Sequence, residues 1–249
     1  VCSNPAGIAE AENTVFSPIA FIAEPRPPPV PEPLQIEICA ENMEGAVAAF
    51  EGGADRVELC SDLDQDGLTP SLDTLQEVKN SIPIPVMAMV RPKAGGFVPG
   101  ANDMEAFEAD LTRVLEAGAD GIVLGVLTPE GRVDQEALAY LVEKAEGLPV
   151  TFHKAFDQIP DLEEGLESLM RCGVRRVLTS GGEATALEGA ARLAELVSLA
   201  GDQITVMPGG GVRAGHARDL ALQTGARALH SGLDRNPTPA SVRELVESL

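Results

Sequence analysis

From residue 34 onward, the chain alternates short aliphatic runs with longer amphipathic stretches. Short runs rich in Val, Ile and Leu predict β-strands, and stretches with apolar residues at helical spacing predict α-helices. The predicted strands cover residues 34–40, 55–60, 86–91, 121–125, 150–154, 176–179, 204–207 and 226–230. The predicted helices cover residues 43–51, 72–80, 104–117, 135–146, 162–172, 184–200, 213–224 and 240–249.

Eight strands thus alternate with eight helices, and a weak internal repeat supports the count. Gly53, Gly118, Gly173 and Gly225 each end a helix and lead into an even-numbered strand. Glycine favours the left-handed turn that closes a helix, and a recurrence every two units indicates a repeated architecture. We predict an α/β fold, a (βα)8 TIM-type barrel with eight parallel strands, as a single domain. A doubly wound open sheet is the alternative.

Three helix starts carry recognisable signals. Asn102 and Asp161 each precede a Glu by three residues, which is the spacing of a capping box. Thr238 precedes Pro239, and proline is favoured at the first position of a helix. These signals support the predicted helices that follow them.

Residues 1–33 differ in composition from the rest of the chain. Residues 26–33 read RPPPVPEP, a polyproline tract that favours an extended conformation. We expect a disordered N-terminal tail over residues 1–33, followed by the barrel domain over residues 34–249. A ligand for a proline-binding module is the alternative for the tail.

Composition and charge exclude several classes of partner. A net charge of −21 repels phosphate backbones and anionic lipid, so we expect no nucleic-acid and no membrane partner. No apolar run approaches the roughly 20 residues that a transmembrane helix needs. Four cysteines in a chain of 249 residues do not make a disulfide scaffold. We therefore expect reduced thiols and a cytoplasmic location.

The first two predicted strands carry the same four-residue pattern. The pattern reads IEIC at residues 36–39 and VELC at residues 57–60. Side chains alternate between the two faces of a strand, so Glu37 shares a face with Cys39, and Glu58 shares a face with Cys60. Because a crossover helix between the strands makes them parallel neighbours, two carboxylates and two thiols should converge.

Three interpretations of Cys39 and Cys60 remain open at this stage. Buried free cysteines most often act as small apolar side chains. Two cysteines on neighbouring strands can also bind a soft metal ion, with Met87 or Met89 adding a thioether. The third interpretation is a redox-active thiol pair.

Function in such barrels gathers at the carboxyl ends of the strands, where this chain places several polar side chains. We interpret these side chains as a pocket, with structural ion pairs as the alternative. A neutral histidine near a carboxylate suits acid–base chemistry, although His153 also fits an ordinary hydrogen-bonded role. The candidate catalytic residues are Glu37, Glu58, Arg91, His153, Asp157 and His230.

Two glycine-rich loops follow the sixth and seventh predicted strands. Exposed backbone amides ahead of a helix can bind phosphate or carboxylate, so these loops are candidate anion-binding sites. Glycine also serves tight turns without any ligand. The candidate residues are Ser180, Gly181, Gly182, Gly209, Gly210 and Gly211.

Several motifs together resemble the CutC family of copper homeostasis proteins over residues 34 to about 230. The motifs are IEIC (36–39), GGADRVELCS (52–61), GLTPS (67–71), VRP (90–92), LTP (127–129), TFHKAFD (151–157), LTSGG (178–182) and MPGGG (207–211). The resemblance implies a cytoplasmic TIM-type barrel with a role in copper homeostasis. It also implies copper(I) binding through cysteines, which here match Cys39 and Cys60. The chain departs from the family at Lys154, where the family usually has arginine.

The residues and the resemblance together predict a copper(I) site between Cys39 and Cys60 at the barrel mouth. The alternative is an enzyme of unknown substrate, acting on a small phosphorylated or carboxylated metabolite in the Glu/Arg/His pocket. A pure scaffold, in which the strand-end charges are structural pairs, is a third interpretation. Assembly into a homo-oligomer is an open expectation.

Overall fold

Eight parallel strands form the inner layer of the protein. The computed structural model describes residues 34–100, 103–235 and 237–249. The strands are β1 (Gln35–Ala40), β2 (Arg56–Leu59), β3 (Val86–Met89), β4 (Gly121–Leu124), β5 (Val150–Phe152), β6 (Arg176–Thr179), β7 (Thr205–Pro208) and β8 (Ala228–Ser231).

One α-helix follows each strand within these residues. The helices are α1 (Met43–Gly52), α2 (Leu72–Ser81), α3 (Asp103–Glu116), α4 (Gln135–Lys144), α5 (Leu162–Arg171), α6 (Ala190–Ala200), α7 (Ala214–Thr224) and α8 (Pro239–Glu247). Short 3₁₀ helices cover Leu63–Gln65, Lys154–Gln158 and Leu233–Arg235. In the part of the chain described, no helix is both long enough and apolar enough to cross a bilayer.

The order of the strands confirms the predicted barrel. Each strand from β1 to β6 pairs in parallel with the next one along the chain, and β1 also pairs with β8. Strands β7 and β8 are in contact with each other, which brings the two ends of the sheet together. The register between β1 and β8 places Glu37 opposite His230. A first strand flanked by both the second and the last strand is the arrangement of a barrel. The open doubly wound alternative is therefore wrong.

The outer face of the strands forms the main hydrophobic core. Ile36 and Ile38 on β1, and Val57 and Leu59 on β2, are buried beneath the helices. The same cluster continues through the apolar faces of the helices and around the barrel. Alternation along each strand leaves the opposite face for the barrel interior.

The barrel interior is unusual in that charged residues separate two small apolar clusters. One cluster contains Cys39, Cys60, Met87, Met89 and Val123, and the other contains Leu178, Met207 and Ala228. Glu37, Arg56, Glu58 and His230 are buried in the same interior. Buried charges are costly unless they are paired or serve a site, so the interior is where function is to be sought.

Several helices begin or end at the glycine and capping residues that the sequence predicted. Gly53, Gly118, Gly173 and Gly225 all adopt positive φ, with values between 70° and 93°. Asp161 caps α5 by accepting hydrogen bonds from the amides of residues 163 and 164. The cap at Asn102 and the tail over residues 1–33 lie outside the described residues.

The predicted start of α6 was too early. The helix begins at Ala190 instead of residue 184, because residues 181–189 form a loop against the end of β6. A Cβ atom on Gly189 would lie 1.8 Å from the carbonyl oxygen of Ser180, so only glycine fits this contact. Strand β3 ends at Met89 and β5 ends at Phe152, each two residues before the predicted end.

Candidate functional site

Glu37 lies at the centre of a buried network of charged side chains that connects β2, β1 and β8. Arg56 Nε donates to Glu37 Oε2 at 2.5 Å, and His230 Nδ1 lies 2.9 Å from Glu37 Oε1. Burial alone would raise the pKa of Glu37, but the hydrogen bond from His230 and the charge of Arg56 outweigh it and lower the pKa to about 2. Glu37 is therefore an ionised acceptor, and His230 Nδ1 is the donor.

The other ring nitrogen of His230 faces a second buried carboxylate. His230 Nε2 lies 3.6 Å from Glu58 Oε2. Burial raises the pKa of Glu58, and the charge of His230 opposes this only in part. Burial lowers the pKa of His230, but the charges of Glu58 and Glu37 outweigh it, so that pKa lies above its ordinary value. In the described part of the chain, Glu58 Oε1 has no hydrogen-bond partner.

The two thiols lie next to this network of charged side chains. The Sγ atoms of Cys39 and Cys60 are 3.5 Å apart, and both side chains are buried. The hydrogen bond with Cys60 and the burial of the thiol raise the pKa of Cys39 well above its ordinary value. Both sulfurs pack with the side chains of Met87 and Met89. The convergence predicted from the two strand patterns is therefore present.

Three different ligand types come together at this point. One ligand atom each from Cys39, Glu58 and His230 lies within 4.8 Å of the other two. All three residues line a cavity of about 370 Å³ at the carboxyl ends of the strands. The cationic side chains that line the same cavity are Lys154, Arg213 and Arg235.

His153 reaches the same cavity from β5 as a neutral side chain. Its Nδ1 accepts a hydrogen bond from the amide of Ala155 at 3.2 Å. Burial and the charge of Arg91 lower the pKa of His153 to about 3. The proton of the neutral ring is thus on Nε2, which has no hydrogen-bond partner in the described residues.

The Arg91 side chain binds backbone carbonyl oxygens in the loops at the barrel mouth. Its Nη1 donates to the carbonyl oxygens of Gln65 and Gly67, and its Nη2 donates to that of Gly95. The guanidinium also lies 5.0 Å from the ring centroid of Phe97. These contacts fasten two loops at the barrel mouth, so Arg91 is committed to carbonyl oxygens, and its catalytic role stays a prediction.

Asp157 also has its hydrogen bonds satisfied within the protein. Its Oδ1 accepts from Thr179 Oγ1 at 2.5 Å, from the amide of Ser180 at 3.0 Å and from the amide of Gly182 at 2.9 Å. The amide of Gly181 donates to Thr179 Oγ1. The amides predicted to bind an external anion therefore already hold an internal carboxylate.

The glycine-rich loop after β7 borders two cavities. Gly210 and Gly211 adopt positive φ and line the 370 Å³ cavity beside His230. Gly209 and Gly210 also line a neighbouring cavity of about 340 Å³. Anion binding at either loop stays a prediction.

Sequence reasoning left Arg56 out of the candidate site and did not identify Arg213 and Arg235, which line the cavity together with Lys154. The signal for Arg56 was available, because alternation along β2 puts it on the face of Glu58 and Cys60. Arg235 was not recognisable, because the short 3₁₀ helix that carries it has no clear pattern in the sequence.

The fold and the site define a TIM-type barrel protein with thiols, carboxylates and an imidazole buried at its carboxyl-terminal mouth. The model of the CutC family matches residues 34–234. A CutC family protein of Photobacterium profundum is 42% identical over 206 residues, which cover 82% of this chain and 84% of the relative. The human copper homeostasis protein cutC homolog is 43% identical over 195 residues, covering 78% of this chain and 71% of the relative. The chain belongs to the CutC family.

Solved structures support the same fold. The crystal structure of a CutC protein from Streptococcus agalactiae has a TM-score of 0.76 at 33% identity, and the match covers 80% of this chain and 98% of that one. A thiamine phosphate pyrophosphorylase from Pyrococcus furiosus has a TM-score of 0.60 at 15% identity, covering 86% and 95%. The second likeness concerns the fold alone.

Proposed function

We propose that this protein serves copper homeostasis by binding copper(I) through the thiolates of Cys39 and Cys60. The observation that carries the proposal is the separation of 3.5 Å between two buried sulfur atoms at the barrel mouth. The name of the human relative, a copper homeostasis protein cutC homolog, supports the same metal. A cytoplasmic location and a homo-oligomeric state stay predictions.

The surroundings of the two thiols suit a soft monovalent ion. Thiolate and thioether ligands favour copper(I) over harder cations. Met87 Sδ accepts a hydrogen bond from Arg176 at 3.1 Å, whereas Met89 lines the cavity beside Cys39. Met89 is therefore the better placed thioether for a third ligand.

Copper(I) must displace protons to bind here. The raised pKa of Cys39 means that the thiol is protonated at neutral pH in the absence of metal. Thiolates bind metal in place of the proton, so binding releases protons and strengthens as the pH rises.

An anaerobic titration with copper(I) against a competing chelator tests this proposal. We expect about one ion per chain in the wild type and loss of binding in the Cys39→Ser/Cys60→Ser double variant. Cys172→Ser is the matched control, because Cys172 follows α5 and is only partly buried. Unchanged stoichiometry and affinity in the double variant would contradict the proposal.

A second candidate function is an enzyme that acts on a small phosphorylated or carboxylated metabolite. The observation that favours it is the pair of unpartnered polar atoms in one cavity, Glu58 Oε1 as acceptor and His153 Nε2 as donor. Buried polar atoms without partners are costly, and a ligand with hydroxyl groups would satisfy both. Lys154 and Arg235 at the rim suit an anionic group on that ligand.

Thermal unfolding in the presence of phosphorylated and carboxylated small molecules tests the second function. Compounds that raise the unfolding temperature of the wild type, but not that of His153→Phe, would support it. No stabilisation by any compound, including inorganic phosphate at millimolar concentration, would count against it.

A further inference from the structure

Copper(I) binding by two thiols does not explain the buried network of charged side chains beside them. Glu37, Glu58 and His230 are all less than a tenth exposed, and none of them is needed to hold copper(I) between two sulfurs. Glu58 Oε1 is buried without a hydrogen-bond partner in the described residues. A protein that only needed two thiols would lose nothing by filling this space with apolar side chains.

We propose that Cys39, Glu58 and His230 form a three-ligand site for a divalent cation of the zinc class, which overlaps the copper(I) site at Cys39. Sulfur, carboxylate oxygen and imidazole nitrogen are the three ligand types that zinc uses in proteins. Copper(I) favours thiolate and thioether ligands, whereas a carboxylate oxygen is a hard ligand, so the mixed set selects a cation of intermediate softness.

The spacing of the ligand atoms fits such a cation. Bonds of about 2.0–2.3 Å in a tetrahedral site place neighbouring ligand atoms roughly 3.3–3.6 Å apart. His230 Nε2 and Glu58 Oε2 are 3.6 Å apart, and the ligand atoms of all three residues lie within 4.8 Å of one another. Small rotations of the Cys39 and Glu58 side chains would close the remaining gap.

Glu37 acts on this site as a positioning residue. Its carboxylate accepts a hydrogen bond from Nδ1 of His230, so Nε2, which faces the site, is the atom that would lose its proton and bind the cation. Carboxylate partners of metal-binding histidines commonly fix the tautomer and the ring orientation in this way. Arg56, in turn, holds the second oxygen of Glu37.

The local charge also suits a divalent cation. At the ligand atoms themselves, the Cys39 thiolate and Glu58 would contribute two negative charges, and Glu37 behind His230 is paired with Arg56. The other cationic side chains lie further out, Arg176 at Met87 and Lys154, Arg213 and Arg235 around the cavity. A dication compensates this excess better than a monovalent ion does.

The fourth coordination position would face the cavity of about 370 Å³ that the three ligands line. Zinc sites with three protein ligands and an open fourth position are typical of catalysis, whereas structural sites are closed. The proposed site is therefore a place where a water molecule or a substrate oxygen would meet the cation.

The two metal sites share Cys39 but differ in their other ligands, and this difference supplies the test. Zinc(II) and, separately, copper(I) are titrated into the full-length reduced protein without oxygen, each against a competing chelator. We expect Cys60→Ser to lose copper(I) and to keep zinc(II). We expect His230→Gln and Glu58→Gln to keep copper(I) and to weaken zinc(II) by at least about 100-fold.

Cobalt(II) gives a second readout of the ligand set. A thiolate-to-cobalt absorption band should appear in the wild type and in Cys60→Ser, and it should be absent in Cys39→Ser. Far-UV circular dichroism of each variant checks that the barrel is folded. If His230→Gln does not fold, Glu58→Gln provides the test of the zinc site. Zinc binding that ignores both Glu58→Gln and His230→Gln, or that is lost in Cys60→Ser, would overturn the proposal.

Discussion

Two carboxylates at the barrel mouth have opposite environments. Asp157, after β5, accepts hydrogen bonds from a hydroxyl group and two backbone amides. Glu58, on β2, has one buried oxygen without a partner in the described residues. Both residues stand out in the sequence as acidic side chains near the end of a strand. Only the structure separates the carboxylate whose hydrogen bonds are satisfied by the protein from the one with an unpartnered oxygen.

The difference has an energetic meaning. A hydrogen bond to a charged group contributes about 1.5–3 kcal/mol, whereas a buried polar atom without a partner costs about 1–3 kcal/mol. Asp157 is therefore expected to stabilise the folded state. Glu58 is expected to lower its stability, and such a cost is typical of a functional site.

The largest effect is expected from Asp157→Ala. The substitution leaves Thr179 Oγ1 and the amides of Ser180 and Gly182 without their acceptor. We expect the free energy of unfolding, measured by urea titration, to fall by about 2–4 kcal/mol. Asp157→Asn keeps one acceptor oxygen and should lose less. A loss below about 0.5 kcal/mol in the alanine variant would show that the loop does not depend on this carboxylate.

An intermediate effect is expected from His153, whose Nε2 is also unpartnered in the described part of the chain. Its folded-state pKa of about 3 lies below the ordinary value of 6.5. The unfolded chain therefore binds more protons, so stability is complete above pH 6.5 and falls as the pH drops toward 3. Between pH 7 and pH 5, urea titrations should show that acidification costs the wild type more stability than it costs His153→Gln. The raised pKa values of Glu58 and His230 act in the opposite direction, but they do so in both proteins.

The interval from pH 7 to pH 5 isolates His153 from Glu37. The pKa of Glu37 is lowered from 4.5 to about 2, so its contribution is lost only below pH 4.5. An equal loss of stability in the wild type and in His153→Gln would mean that another group is responsible.

The smallest effect on stability is expected from Glu58→Gln. The amide has nearly the shape of the carboxylate but no charge, so the burial that raises the pKa of Glu58 no longer costs free energy. We expect the free energy of unfolding to change by less than about 1 kcal/mol, with an increase favoured. Glu37→Gln is the matched comparison, because it leaves Arg56 without its buried ion-pair partner and should be clearly destabilised. A Glu58→Gln variant as unstable as Asp157→Ala would contradict the contrast between the two carboxylates.

Alternation along the strands predicted the inner face of β1 and β2 correctly. Glu37, Cys39, Glu58 and Cys60 could be placed together because two short-range rules, strand period and parallel pairing, were sufficient. The eight-unit barrel followed from the same regular spacing.

Loop contacts and hydrogen-bond satisfaction could not be predicted in this way. The acceptors of the Arg91 guanidinium and the donors to Asp157 are backbone groups in loops, whose positions depend on the whole fold. The late start of α6 has the same origin, because the contact between Gly189 and Ser180 joins two loop segments. Helical periodicity carries no information about such contacts.

The hydrogen bond between Glu37 and His230 joins residues that are 193 positions apart along the chain. During synthesis, β1 and β2 emerge from the ribosome before β8. Contacts at such separation form late in folding, because the entropy of closing so long a loop must first be overcome. The thiol pair can therefore assemble before the barrel is closed, but the site that includes His230 cannot. A cation held by that site would bind only the completed barrel. It would link β8 to β1 and β2 and so slow the unfolding of the barrel.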